Sequence, residues 1–204
     1  MQKHLPERVQ KGQGTMRAFT FENATKIYFG GGCVKEHLLE AVKPYGETVM
    51  LAYGGGSIKT NGIYQEVMDV LKLAGKQVIE FSGIMPNPTY SKVMEGKKVV
   101  QENQVDLILA VGGGSVMDCS KAISMAAATD KDVWEEYWIK KGEIDFEPVP
   151  VGVIVTVVGT GSEVNGEGVI THEEQKIKNG YGWRRKRRFY RGNPPPGSLY
   201  GQPN

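Results

Sequence analysis

Asp106-Leu-Ile-Leu-Ala-Val-Gly112-Gly113-Gly114-Ser115-Val-Met-Asp118 is the stretch whose reading decides the fold. An uninterrupted apolar run of this length suits a strand buried on both faces, as parallel strands are. Three glycines then bring bare backbone to the strand's end, and Ser115 opens a run of small and apolar residues, Val116 to Ala128, that reads as a buried helix. Such a loop can lay N–H groups against a phosphate, because a helix N-terminus favours negative charge. Asp118 has two readings. It can form a capping-box-like pair with Ser115, or it can bond to the nicotinamide or ribose of a bound dinucleotide.

The same grammar recurs on either side. Thr48-Val-Met-Leu-Ala-Tyr53 is a short apolar strand that ends in Gly54-Gly55-Gly56-Ser57. Ile63, Tyr64, Val67, Val70, Leu71 and Ala74 then recur at helical spacing, and Gly75 stops the helix. Gln77 to Phe81 is a further strand, Pro86-Asn-Pro88 a turn, and Tyr90 to Asn103 a helix. Val149 to Val158 is a strand closed by Gly159-Thr160-Gly161-Ser162, and Glu167 to Thr171 can be another. Strand, glycine loop and helix in repetition predict a mainly parallel sheet with helices on both faces. Ligands of such sheets sit at the carboxyl ends of the strands.

The Gly54–Gly56 loop is read as a second phosphate or ribose site, with a plain helix-capping turn as the alternative. No acid ends its strand to grip a ribose 2′-OH, while Ser57 and Lys59 stand just beyond. A donor-rich loop accepts a 2′-phosphate that a carboxylate would repel, so NADP(H) is favoured over NAD(H). Around the third loop, Thr156, Thr160, Gly161, Ser162 and Asn165 cluster hydroxyls and amides suited to the nicotinamide end, or simply a capped strand-to-helix turn.

Composition narrows the rest. Apolar residues make up 40% of the 204, enough for a packed core. Cys33 and Cys119 form no metal or disulfide pattern, which fits a reducing cytoplasm. His4, His37 and His172 are scattered without ligand spacing, and Trp134, Tyr137 and Trp138 read as packing residues. No apolar run reaches a membrane span, so no membrane partner is expected. The net charge of +2 owes its sign to Arg184, Arg185, Lys186, Arg187, Arg188 and Arg191. That run could bind nucleic acid but has no folded context, so nucleic acid is not the expected partner.

These stretches resemble the iron-containing alcohol dehydrogenase family, within it the NADPH-dependent butanol dehydrogenase branch. The resemblance rests on Phe21 to Gly32, Tyr53 to Tyr64, Gly83 to Pro88, Asp106 to Ile123 and Gly159 to Asn165. It implies an α/β dinucleotide-binding domain of the dehydroquinate-synthase-like type over residues 17–180. It implies coenzyme contacts from Gly54, Gly55, Gly56 and Ser57, from Gly112, Gly113, Gly114, Ser115 and Asp118, and from Thr156, Thr160, Gly161 and Ser162. Lys178 matches a family lysine that approaches the coenzyme.

The family's activity is metal-dependent hydride exchange between NADP(H) and a primary alcohol or aldehyde. Iron or zinc is held in a following all-helical domain by one Asp and three His, and the full-length family can form homodimers. This sequence departs there. Residues 181–204 carry the basic run and Pro194-Pro-Pro196, are expected to be unstructured, and suggest a frameshift near Trp183. Residues 1–16 are expected to be a disordered extension, with Met16 as the natural start. No residue is therefore assigned as catalytic or as a metal ligand. Two alternatives follow: a non-catalytic nucleotide-binding remnant, or a glycerol-dehydrogenase-like relative using NAD and zinc.

Overall fold

The computed structural model describes residues 25–182 and the backbone of residues 198–200. Six parallel strands form one sheet in the order β1-β8-β5-β4-β2-β3. These are β1 (Ile27–Phe29), β2 (Thr48–Tyr53), β3 (Gln77–Phe81), β4 (Leu107–Gly112), β5 (Val151–Val155) and β8 (Ser198–Tyr200). The helices are α1 (Cys33–Val42), the short α2 (Ser57–Thr60), α3 (Ile63–Leu73), α4 (Tyr90–Glu102) and α5 (Gly114–Ala127).

The two most apolar strands, β2 and β4, pair with each other at the centre, Val49 opposite Leu107 through Tyr53 opposite Val111. Side chains alternate across a strand, so each central strand feeds two cores. Met50, Ala52, Ile108 and Ala110 face α4 and α5. Val49, Leu51, Leu107 and Leu109 face α1 and α3. This is the doubly covered parallel sheet that the apolar runs predict. Gly96 of α4 lets α5 come close: a Cβ there would stand 2.3 Å from Ile123 Cδ1.

Four features depart from the expectation. Val157 and Val158 do not extend β5; they are exposed beyond its end. Trp134–Ile139 forms a π-helical segment whose Trp134, Tyr137 and Trp138 are buried, so their packing role holds. β6 (Glu167–His172) does not stand alone; β7 (Ile177–Gly182) pairs antiparallel with it, Ile170 opposite Asn179. The chain from residue 181 was expected to lack structure, yet Tyr181 and Gly182 complete β7 and Ser198–Tyr200 adds a strand between β1 and β5. Strand pairing of the backbone outweighs a local composition of poor strand formers there. The expected extension over residues 1–16 and the basic run at 184–191 lie outside the described residues.

Candidate dinucleotide site

β3, β2, β4 and β5 are neighbours in that order, and all four point their carboxyl ends the same way. Neighbouring strands lie about 4.8 Å apart, so the four ends offer a ledge on the order of 14 Å long, the reach of an extended dinucleotide. The loops along it touch. Gly83 N–H donates to Gly54 O at 3.1 Å, and Thr156 N–H donates to Gly112 O at 3.1 Å. A Cβ on Gly54 would lie 3.1 Å from Ile84 O, and one on Gly114 2.6 Å from Thr160 Cγ2.

The middle of the ledge is the N-terminus of α5. Gly113 is its N-cap, no side chain caps it, and no acid occupies its first turn. Ser115 and Asp118 therefore do not form the capping pair that was one reading of them. Asp118 turns elsewhere: its Oδ1 accepts from Ser162 Oγ at 2.6 Å and its Oδ2 from Val169 N–H at 3.0 Å. It joins α5 to the third loop and to β6, with its side chain still 18% exposed. A Cβ on Gly112 would sit 2.6 Å from Val116 Cγ2, so only glycine lets the strand turn into the helix here. These features suit a pyrophosphate: exposed backbone, a helix dipole and no competing carboxylate at the helix start.

At the β2 end a cleft of about 260 Å³ is lined by Tyr53, Gly54, Gly55, Gly56, Lys59, Ser82 and Gly83. A Cβ on Gly55 would meet nothing within 4 Å, and Gly56 has φ of 114°. Ser57 opens the short α2 and is exposed. The sequence reading missed Glu80. It found no acid at the end of β2, but Glu80, near the end of the adjacent β3, bonds to Tyr53 and Lys59, two residues that line the cleft. Its carboxylate accepts from Tyr53 OH, from Tyr64 OH at 2.6 Å and from Lys59 Nζ at 3.2 Å. The Tyr53 and Tyr64 hydroxyls and Lys59 hold the Glu80 carboxyl below its usual range. The Tyr53 hydroxyl and then Glu80 push Lys59 upward. The available signal was spacing. In dinucleotide folds the ribose-binding acid comes about 20 residues after the glycine loop, at the end of the next strand, and Glu80 has that place.

At the β5 end, Thr160 is exposed and Thr156 and Gly161 half-buried. Two expected ligands serve the loop itself. Ser162 is buried and gives its hydroxyl to Asp118. Asn165 Oδ1 accepts from Glu167 N–H at 2.9 Å and from Lys121 at 3.2 Å. Lys121 is the second residue that the sequence reading missed. Nearly buried, it donates to Ser162 O at 2.9 Å, to Asn165 O at 3.4 Å and to Glu167 O. Desolvation lowers its pKa to about 8. Lys178 stands on β7, where its Nζ donates to Asn87 Oδ1 at 2.5 Å. That contact brings β7 to the turn that follows β3.

No group of three or more His, Cys, Asp or Glu among the described residues could hold a metal ion. His172 stacks on Tyr90, with ring centroids 5.0 Å apart, and meets Trp134 at 5.1 Å. His37 stacks on Tyr28 at 4.3 Å. Cys33 and Cys119 are buried and form no disulfide, and burial pushes Cys119 up to about 12. No helix among the described residues is long and apolar enough to cross a membrane.

Comparison with known proteins places this geometry in context. The family described as iron-containing alcohol dehydrogenase matches residues 24–187. "Probable NADH-dependent butanol dehydrogenase 1" of Bacillus subtilis is 46% identical over 168 residues, covering 82% of this chain and 42% of the relative. The NADPH-dependent aldehyde reductase of Escherichia coli is 37% identical over 167 residues, covering 81% of this chain and 42% of the relative. Among solved structures, NADH-dependent butanol dehydrogenase A of Thermotoga maritima superimposes with a TM-score of 0.80 at 38% identity, over 91% of this chain and 44% of that one. The chain thus spans less than half the length of these relatives.

Proposed function

We propose, because this chain belongs to the iron-containing alcohol dehydrogenase family, that it binds a nicotinamide dinucleotide along the β3–β2–β4–β5 ledge and serves hydride exchange between a primary alcohol and its aldehyde. The observation that carries this reading is the pair of glycine loops on the adjacent strands β2 and β4, with the uncapped N-terminus of α5 between them and the third loop. Backbone N–H groups of Gly113, Gly114 and Ser115 take the pyrophosphate. The cleft at Gly54–Gly56, with Ser57 and Lys59 at its lip, takes the adenosine ribose. Thr156, Thr160, Gly161 and Lys178 border the nicotinamide end. Asp118, Ser162 and Asn165 act one step back and hold that border in place.

Bound there, the dinucleotide supplies or accepts the hydride; the chain's own part is to bind, orient and shield it. The described residues offer no metal ligand set, so no step through iron or zinc is derived from them. NADP(H) is the coenzyme we assign, from the donor-rich loop at Gly54–Ser57. NAD(H) is a second reading, favoured by Glu80 at the same cleft. Butanol and butanal are the substrates assigned to the whole protein, by analogy with the butanol dehydrogenases it resembles.

Titrating the purified chain with NADPH and with NADH, and following nicotinamide fluorescence, tests this. Saturable one-to-one binding is expected, and butanal with added ferrous iron should give no coenzyme oxidation by these 204 residues alone. No binding at millimolar coenzyme contradicts the dinucleotide reading. Turnover contradicts the expectation that these 204 residues alone do not assemble the metal-dependent site.

A further inference from the structure

We infer that Glu80 sets the balance between NAD(H) and NADP(H), by holding the Lys59 ammonium back from a ribose 2′-phosphate. The inference rests on the reading that the Gly54–Gly56 cleft takes the adenosine ribose. Among the described residues, Lys59 is the only cation that lines the cleft. It is not a free charge. Glu80 Oε2 stands 3.2 Å from its Nζ, and the ammonium lies over the Tyr64 ring at 4.5 Å and the Tyr53 ring at 5.3 Å. The two tyrosine hydroxyls in turn donate to Glu80, so one carboxylate organises the whole group.

Two consequences differ between the coenzymes. A 2′-phosphate entering the cleft meets an already neutralised pair, and to gain Lys59 it must compete with a carboxylate that repels it. A 2′-hydroxyl meets no such repulsion, and Glu80 retains acceptor capacity for it. The native cleft therefore discriminates weakly. Glu80→Gln keeps one acceptor oxygen where the tyrosines now use two, but removes the repulsion and the ion pair with Lys59.

The test is the ratio of dissociation constants for NADH and NADPH, from fluorescence titration of the native chain, Glu80→Gln and Tyr64→Phe. Glu80→Gln should shift the ratio toward NADPH on the order of tenfold, and less as salt is raised. Tyr64→Phe removes a hydrogen bond to Glu80 without changing charge, and should shift the ratio by less than about twofold. An unchanged ratio in Glu80→Gln with both coenzymes still binding overturns the inference alone. So does an equal shift in Tyr64→Phe, which would make the effect one of shape. Failure of the native chain to bind either coenzyme overturns the cleft assignment, and the inference with it.

Discussion

Lys121→Met is expected to destabilise the chain by roughly 2–4 kcal/mol and to loosen the loop at residues 160–167. The Lys121 ammonium reaches the carbonyls of Ser162, Asn165 and Glu167 from a nearly buried position on α5. Methionine fills a similar volume but donates nothing, so carbonyls that the fold has drawn together lose a shared partner. Chemical denaturation reads the stability, and amide exchange over residues 160–167 reads the loop.

The effect should depend on pH in a definite direction. Burial lowers Lys121 to about 8, against an ordinary 10.5. Between those values the unfolded chain holds a proton that the folded chain has released. Stability from this site therefore rises with pH across that window. The gap between native protein and Lys121→Met should widen from pH 7.5 to pH 10. A gap that is flat or narrows on going alkaline would mean that the ammonium is not desolvated as its surroundings imply.

Gly112→Ala is expected to abolish measurable coenzyme binding and to cost about 1–3 kcal/mol of stability. The new methyl would lie 2.6 Å from Val116 Cγ2 and 2.8 Å from Val116 Cβ. Val116 is buried in the first turn of α5, so relief requires the helix start itself to move. That start is the proposed phosphate site. Gly55→Ala separates the two effects. Its methyl would enter open space, so melting temperature should barely change while coenzyme affinity falls about tenfold or more. If Gly112→Ala binds coenzyme as the native chain does, the phosphate lies elsewhere.

The sheet was legible where burial on both faces leaves an unbroken apolar run, as in Thr48–Tyr53 and Leu107–Gly112. It was poorly legible where strands are exposed. β7 reads Ile-Lys-Asn-Gly-Tyr-Gly and is mostly solvent-facing, so its pairing with β6 leaves little trace in hydropathy. β8 lies just beyond a proline run and is held by β1 and β5, contacts remote in sequence. The π-helical segment at Trp134–Ile139 is too short for a period to emerge.

The site followed the same division. Its glycines could be read because glycine itself is the signal at a strand-to-helix turn. What surrounds them could not. Glu80 and Lys121 act through neighbours brought together by folding: Lys59 and two tyrosines for one, a ring of carbonyls for the other. Ser162 and Asn165 looked like ligands because hydroxyls and amides suit a nicotinamide. In the fold the Ser162 hydroxyl bonds to Asp118 and the Asn165 Oδ1 accepts from Lys121.

A crystal structure of the chain grown with NADP⁺ or NAD⁺ would show where the dinucleotide lies on the sheet. Pyrophosphate density is expected within hydrogen-bonding distance of the Gly113, Gly114 and Ser115 N–H groups, with the adenosine ribose in the Gly54–Gly56 cleft and the nicotinamide beside Thr160. A dinucleotide bound elsewhere, with the N-terminus of α5 facing solvent alone, would contradict that placement.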